Sequence, residues 1–231
     1  MRLLVDIGGT HIRLSVDICY VKYIHKSNSL EDLIKLIEVF IQDNKHIYSI
    51  DTITVAIPCI LNNFVCYNET NLKFLNMIRL PKQILGINVS YHNDGDMSLL
   101  GEIKYNNISK DNNILSIIFG TGVGCGLWIY NIVKNSEIHK IFENYLGGTN
   151  FENKLLQSKK EKFVKDLSNI IELLNINVLI LNGFIINYPI FRIKVDELLI
   201  SNYHKENLRI IYSECSDSVL LGLSESQNYS F

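Results

Sequence analysis

Apolar and polar positions alternate from the first residues onward, and this alternation predicts strands at Leu3–Ile7, Ile12–Val16 and Val21–Ile24, the first broken by Gly8-Gly9. The period then lengthens. Leu30, Leu33, Ile34, Ile37 and Ile41 share one helical face, and Ser29 followed by Asp32 resembles a capping box. Thr52–Ile57 reads as a buried strand ended by Pro58, Asn88–His92 as a short strand, and Asp94–Tyr105 as a helix. Strands at Ile114–Phe119 and Leu127–Val133 flank a glycine cluster. Helices are predicted at Phe151–Leu156, Phe163–Leu174 and Ile193–Ile200, strands at Val178–Leu181 and Leu208–Tyr212, and a closing helix at Asp217–Ser226. The order is that of a mixed α/β protein in two halves. The polar, Asn-rich link at 105–112 places the halves at 1–108 and 109–231.

Composition changes this picture only in part. With 231 residues, 47% of them apolar and 20% charged, the chain can bury a core without staples. A net charge of -2, scattered along the chain, argues against nucleic acid or another polyanion as partner. There are 35 Ile and 26 Asn against a single Ala, Ala56, so asparagine is often only a default polar residue. The start, with Asp6 and no apolar leader, does not read as a signal peptide. The most apolar stretch, Val178–Phe191, is interrupted by Asn182, Gly183, Asn187 and Pro189, so no membrane span is expected. Five cysteines (19, 59, 66, 125 and 215) without a C-x-x-C pair predict reduced thiols in a cytoplasmic protein, with neither a disulfide framework nor a zinc site.

Three places carry candidate chemistry. Asp6-Ile7-Gly8-Gly9-Thr10 ends the first strand and turns into the second. Its glycines let backbone N–H groups approach a phosphate, Thr10 adds a hydroxyl, and Asp6 can hold the water shell of Mg²⁺. A plain hairpin turn with Asp as turn former competes with that reading. Gly120-Thr121-Gly122-Val123-Gly124-Cys125-Gly126 is a second glycine loop. A dinucleotide fingerprint would open a helix, whereas the LWIYNIV that follows returns as a strand, so this loop reads as a phosphate cradle of another kind. Asn93-Asp94 stands where a strand gives way to a helix. A carboxylate there can take a proton from a substrate hydroxyl, and taken alone it also reads as a helix N-cap.

In this order, these segments resemble the sugar kinases of the ROK family, within the actin–hexokinase–Hsp70 ATPase superfamily. DIGGTHIR (6–13) is similar to that family's D-x-G-G-T-x-x-R, VAIPC (55–59) to V-x-V-P-G with Cys59 for Gly, and TNL (70–72) to P-N-L. HNDGDMSLLGE (92–102) is similar to N-D followed by G-E, and GTGVGCG (120–126) to the second phosphate motif. GGTNFEN (147–153) resembles G-C-L-E-x-Y, LILNGF (179–184) resembles the strand beside the adenosine, and SECSDSVLLGLSES (213–226) resembles the closing helix.

The resemblance implies two ribonuclease-H-like, actin-like lobes with mixed sheets and an interlobe cleft holding ATP and Mg²⁺. It puts Asp6, Gly8, Gly9, Thr10, Arg13, Gly120, Thr121, Gly122 and Gly124 on the phosphates and Gly183 beside the adenosine. Asp94 becomes the general base, and Asn71, Asn93, Glu137, His139 and Glu152 become sugar ligands. The implied activity is ATP-dependent phosphorylation of a hexose or N-acylated hexosamine such as glucose or N-acetylmannosamine, in a chain that can dimerise. A non-catalytic descendant that keeps only the nucleotide loops is the alternative. The pattern also departs from the family's. Ser136-Glu137-Ile138-His139 is one residue short of the family's E-x-G-H, so Glu137 and His139 read equally as sugar ligands and as solvated loop residues. The family's zinc knot is missing, and no zinc is expected.

Overall fold

In the computed structural model, which describes residues 1–67, 72–120, 122–134, 138, 140–142, 157–183, 196 and 208–229, the N-terminal alternation becomes an antiparallel meander. Its strands are β1 (Arg2–Ile7), β2 (His11–Val16) and β3 (Cys19–Ile24). Leu3, Val5 and Ile7 on β1, with Ile12, Leu14 and Val16 on β2, are all buried on one face. They pack against Leu33, Ile37, Phe40 and Ile41 of helix α1 (Leu30–Asn44). Ser29 caps this helix, its Oγ accepting from Asp32 N–H at 3.1 Å. The returning carboxylate bond goes to Asn28 N–H, one residue earlier than a capping box requires.

Strands β4 (Thr52–Ile57) and β9 (Ile87–Asn93) extend the sheet in parallel, and β8 (Gln83–Ile84) closes it, giving the order β3-β2-β1-β4-β9-β8. Between β4 and β8 lies a small antiparallel sheet of β5 (Ile60–Asn62), β6 (Val65–Tyr67) and β7 (Ile78–Arg79). Strands of two or three residues show no readable alternation, and these were not predicted. Their hairpin overturns the expectation of wholly reduced thiols. It brings Cys59 and Cys66 to a Cα–Cα distance of 5.7 Å, where they form a disulfide, while Cys19, Cys125 and Cys215 are free thiols.

The second sheet repeats the connectivity of the first: an antiparallel meander, then two parallel strands. Its strands are β10 (Ile114–Phe119), β11 (Val123–Ile129), β12 (Ile132–Lys134), β13 (Val178–Gly183) and β14 (Arg209–Tyr212), in the order β12-β11-β10-β13-β14. The single strand predicted at Leu127–Val133 is two strands turning at Tyr130-Asn131, both at positive φ. Helix α3 (Gln157–Leu173), begun six residues before the predicted Phe163, covers the outer face through Phe163, Val164, Leu167 and Ile171.

Helices α2 (Asp94–Tyr105) and α4 (Ser218–Glu225) lie between the two sheets, burying Met97, Leu100, Leu220 and Leu223 with Ala56, Ile114 and Ile180. Layers therefore run α1, first sheet, α2 with α4, second sheet, α3. Sheets covered on both faces explain the nearly unbroken apolar runs of β4 and β10. Among the described residues no helix is long and apolar enough to cross a membrane. The predicted helices at 151–156 and 193–200 lie outside the described residues, apart from Asp196.

Candidate active site

Alternation on β1 sends Leu3, Val5 and Ile7 outward to α1, and so turns Asp6 inward, toward α2 and α4. Asp6 is 4% exposed and pairs in register with Arg13 of β2, whose Nη1 donates to Asp6 Oδ2 at 2.5 Å. Burial raises the pKa of Asp6 and the Arg13 cation opposes that rise. Arg13, expected on phosphate, is thus paired with the carboxylate. Its Nε lies 4.0 Å from Asp217 at the start of α4.

The turn after β1 is held from both sides. Gly8 N–H donates to His11 O at 2.8 Å, His25 Nε2 donates to Gly8 O at 2.9 Å, and His25 N–H donates to Thr10 O at 3.1 Å. His25 was missed, because a histidine after a short amphipathic strand carries no signal of its own. Beside Gly9 opens a cleft of about 410 Å³, lined in part by His25, Lys26, Leu72 and Lys73.

Asn93, not Asp94, caps α2. Its Oδ1 accepts from Asp96 N–H at 3.1 Å and its Nδ2 donates to Cys59 O at 3.0 Å. Asp94 is released from capping, and its Oδ1 accepts from Gly95 N–H at 2.8 Å. Burial, then the charge on Asp6, pushes the Asp94 pKa up to about 7. Asp96 is buried and likewise pushed up to about 7, by burial and then by Asp94. Asp96 was also missed: an acidic residue in the first turn of a helix looks like a partner of the helix dipole.

The second glycine motif divides into two parts. Gly120 and Gly122 form the turn, Gly120 N–H donating to Gly122 O at 2.9 Å, while Gly124 and Gly126 already belong to β11. A Cβ on Gly126 would sit 2.5 Å from Leu99 Cβ and 2.6 Å from Gly95 O, and one on Gly95 would sit 2.5 Å from Cys125 O. These glycines let α2 settle onto β11, which carries Asp94 toward the loop. Gly183 ends β13 at φ +94°, and a Cβ there would lie 2.1 Å from Phe119 O, beside that same loop. Asn71, Thr121, Glu137, His139 and Glu152 lie outside the described residues.

This donor set suits Mg²⁺ arriving with a nucleotide. Asp6 is a hard oxygen donor, and a divalent cation beside it would relieve its repulsion of Asp94. Among the described residues no group of three or more His, Cys, Asp or Glu could hold a metal by itself. The rest of the coordination would come from phosphate and water.

Two mixed sheets of matching connectivity, with a helix pair between them, make an α/β fold that the chain shares with solved ROK family structures. Residues 2–135, more than half of the chain, match the model of the ROK family, and the chain belongs to that family. The resemblances at 147–153, 179–184 and 213–226 fall beyond the matched residues. No curated protein sequence matches the chain. Among solved structures it is similar to the inorganic polyphosphate/ATP-glucomannokinase of Arthrobacter sp. strain KM (TM-score 0.75, 18% identity, 98% of each chain covered). It is also similar to the ROK family glucokinase of Streptomyces griseus, solved with glucose and AMPPNP (TM-score 0.73, 14% identity, 97% of this chain and 98% of the other). A third is the Lmo2764 protein of Listeria monocytogenes, a candidate N-acetylmannosamine kinase (TM-score 0.75, 17% identity, 96% of each chain).

Proposed function

We propose that this protein is a sugar kinase, transferring the γ-phosphoryl group of ATP to a hydroxyl of a hexose or N-acetylhexosamine. The observation that carries the reading is Asp94: a carboxylate at the head of α2, relieved of capping by Asn93 and raised to about 7 by burial and Asp6. A base with a pKa near the working pH is both unprotonated often enough and basic enough to accept the hydroxyl proton. Asp94 takes that proton, and Gly95 N–H holds its Oδ1. Bound Mg²⁺ would neutralise charge on the transferring phosphoryl group.

In this reading Asp6 acts on the metal's water shell, and the phosphates lie against the backbone of the turns Gly8–Thr10 and Gly120–Gly122, with Gly124 beside them. Gly183 borders the adenosine. Asn71, Asn93, Glu137, His139 and Glu152 orient the sugar. Residues 1–108 and 109–231 form the two lobes. Folds of this class in the glucokinase and glucomannokinase above support the assignment.

The test is ADP release from Mg·ATP across a panel of hexoses and N-acetylhexosamines. Turnover with at least one sugar, abolished in Asp94→Asn, is expected. A folded protein that turns over none of them overturns the reading.

A further inference from the structure

Glu102 lies two turns along α2 from Asp94 and is 0% exposed. A carboxylate withdrawn this far from water must be satisfied by hydrogen bonds, and Glu102 is. Asn182 Nδ2 donates to its Oε1, Asn106 Nδ2 donates to its Oε2 at 2.9 Å, and the Ser213 hydroxyl is a third partner. Asn182 is the pivotal contact, because it sits in β13 one residue before Gly183. Its Nδ2 also donates to Cys215 O at 3.0 Å, and its Oδ1 accepts from Gly183 N–H. With both ends engaged, the Asn182 side chain has one orientation, and the Gly183 peptide is held by it. Gly183 in turn lies against the backbone of Phe119, the residue before the Gly120–Gly122 turn.

We propose that Glu102 is a positioning residue for the nucleotide side of the site: by locking Asn182 it sets the Gly183 peptide against Phe119, and so places the Gly120–Gly122 loop relative to the helix that bears Asp94. The structural part stands on the contacts above, and its consequence for nucleotide rests on the kinase reading. A cluster serving the core alone would leave a different trace. Its loss would loosen both sheets and weaken every ligand alike.

The experiment compares the full-length wild type with Glu102→Ala, Glu102→Gln and Asn182→Ala, first without ligand. Amide hydrogen exchange at Gly183 and Gly120 should quicken about tenfold or more in Glu102→Ala and Asn182→Ala, the factor expected for losing a hydrogen bond to a charged group. Leu115 and Ile117, deeper in β10, should keep wild-type exchange. Glu102→Gln retains an oxygen that can accept from Asn182 and should stay within a few-fold of wild type. Calorimetry with Mg·AMPPNP should then show about a tenfold weaker Kd in Glu102→Ala and Asn182→Ala, with sugar affinity unchanged within about twofold. Wild-type exchange at Gly183 and Gly120 in a folded Glu102→Ala or Asn182→Ala overturns the proposal, as does an equal loss at Leu115 and Ile117. Failure of the wild type to bind any nucleotide would sink the kinase reading, while the exchange data would still decide whether Glu102 places the loop.

Discussion

Gly101 of α2 and Gly222 of α4 cross with no side chain between them. A Cβ built on Gly101 would lie 1.8 Å from Ser218 O, and one on Gly222 would lie 1.7 Å from Met97 O. Both obstacles are backbone of the opposite helix, so no rotamer change relieves them. Gly101→Ala or Gly222→Ala should each cost about 3 kcal/mol or more by overpacking. Because both substitutions force the same pair of helices apart, the double variant should cost clearly less than the sum. Urea titrations of the three variants check this, and a loss under about 1 kcal/mol for either single would contradict the crossing.

Much of this was readable because the elements obey local rules. Asp94–Tyr105 was bounded as observed, its start marked by Asn93-Asp94, and β2 of the meander shows the period of two. The ordered set DIGGT, ND and GTGVGCG gave the family. What was illegible depends on packing between distant segments. Gly126, inside a motif that reads as phosphate-binding, is set by Leu99 and Gly95, and neither contact has a sequence period. Glu102 looked like the trailing half of a G-E pair, and only the meeting of α2 with β13 shows its partners. The hairpin joining Cys59 to Cys66 was missed because its strands are three residues each.

The raised pKa values of Asp94 and Asp96 give two pH dependences. A carboxylate whose folded pKa exceeds its unfolded value binds a proton more tightly when folded. Its contribution is fully present below the unfolded value near 4 and is lost as pH rises through about 7. Stability should therefore decline across that interval, and Asp94→Asn should flatten the decline when urea midpoints are followed against pH. Catalysis should run the opposite way. The kcat/KM for sugar should climb with pH through an acid limb that sits at or below about 7, because burial raises Asp94 and Mg·ATP beside Asp6 offsets part of that rise. A kcat/KM that shows no acid limb at all between about pH 4 and 9 would rule out Asp94 as the general base.

Arg13 and Asp6 form a pair whose loss is lopsided. Asp6 is 5% exposed at its side chain and Arg13 26%, so removing the cation strands a buried carboxylate. Arg13→Met should destabilise by about 3 kcal/mol, the usual cost of breaking such a pair from one side. Asp6→Asn added to Arg13→Met should recover part of that loss, since the stranded charge is gone. A double variant less stable than Arg13→Met by thermal unfolding would refute this account.

The Cys59–Cys66 bond closes a short loop next to the site, since Cys59 O accepts from Asn93, the cap of α2. Intact mass under non-reducing conditions should be two hydrogens below the fully reduced value. Reduction of a loop this short should cost about 2 kcal/mol, if chain entropy governs the effect. Cys59→Ser, which keeps the carbonyl, should match the reduced protein in stability while retaining most activity. Identical unfolding curves with and without dithiothreitol would remove the bond from the stability account.

Two glycines of one motif should answer substitution differently. Gly124 lies in β11 opposite Ile118, and a Cβ there would meet Ile118 Cδ1 at 3.5 Å, an ordinary contact. Gly126 faces Leu99 Cβ at 2.5 Å and Gly95 O at 2.6 Å, so its Cβ would push α2 off the strand. Gly124→Ala should keep wild-type stability within about 1 kcal/mol. Any effect it has on ATP affinity then reports contact with phosphate, free of a folding artefact. Gly126→Ala should lose about 2–3 kcal/mol. Where it remains folded, kcat should fall more than KM changes, because Asp94 rides on the displaced helix and small misplacements of a catalytic group are costly. Equal stability losses in the two variants would show that the division of this motif into a phosphate turn and a packing seam is wrong.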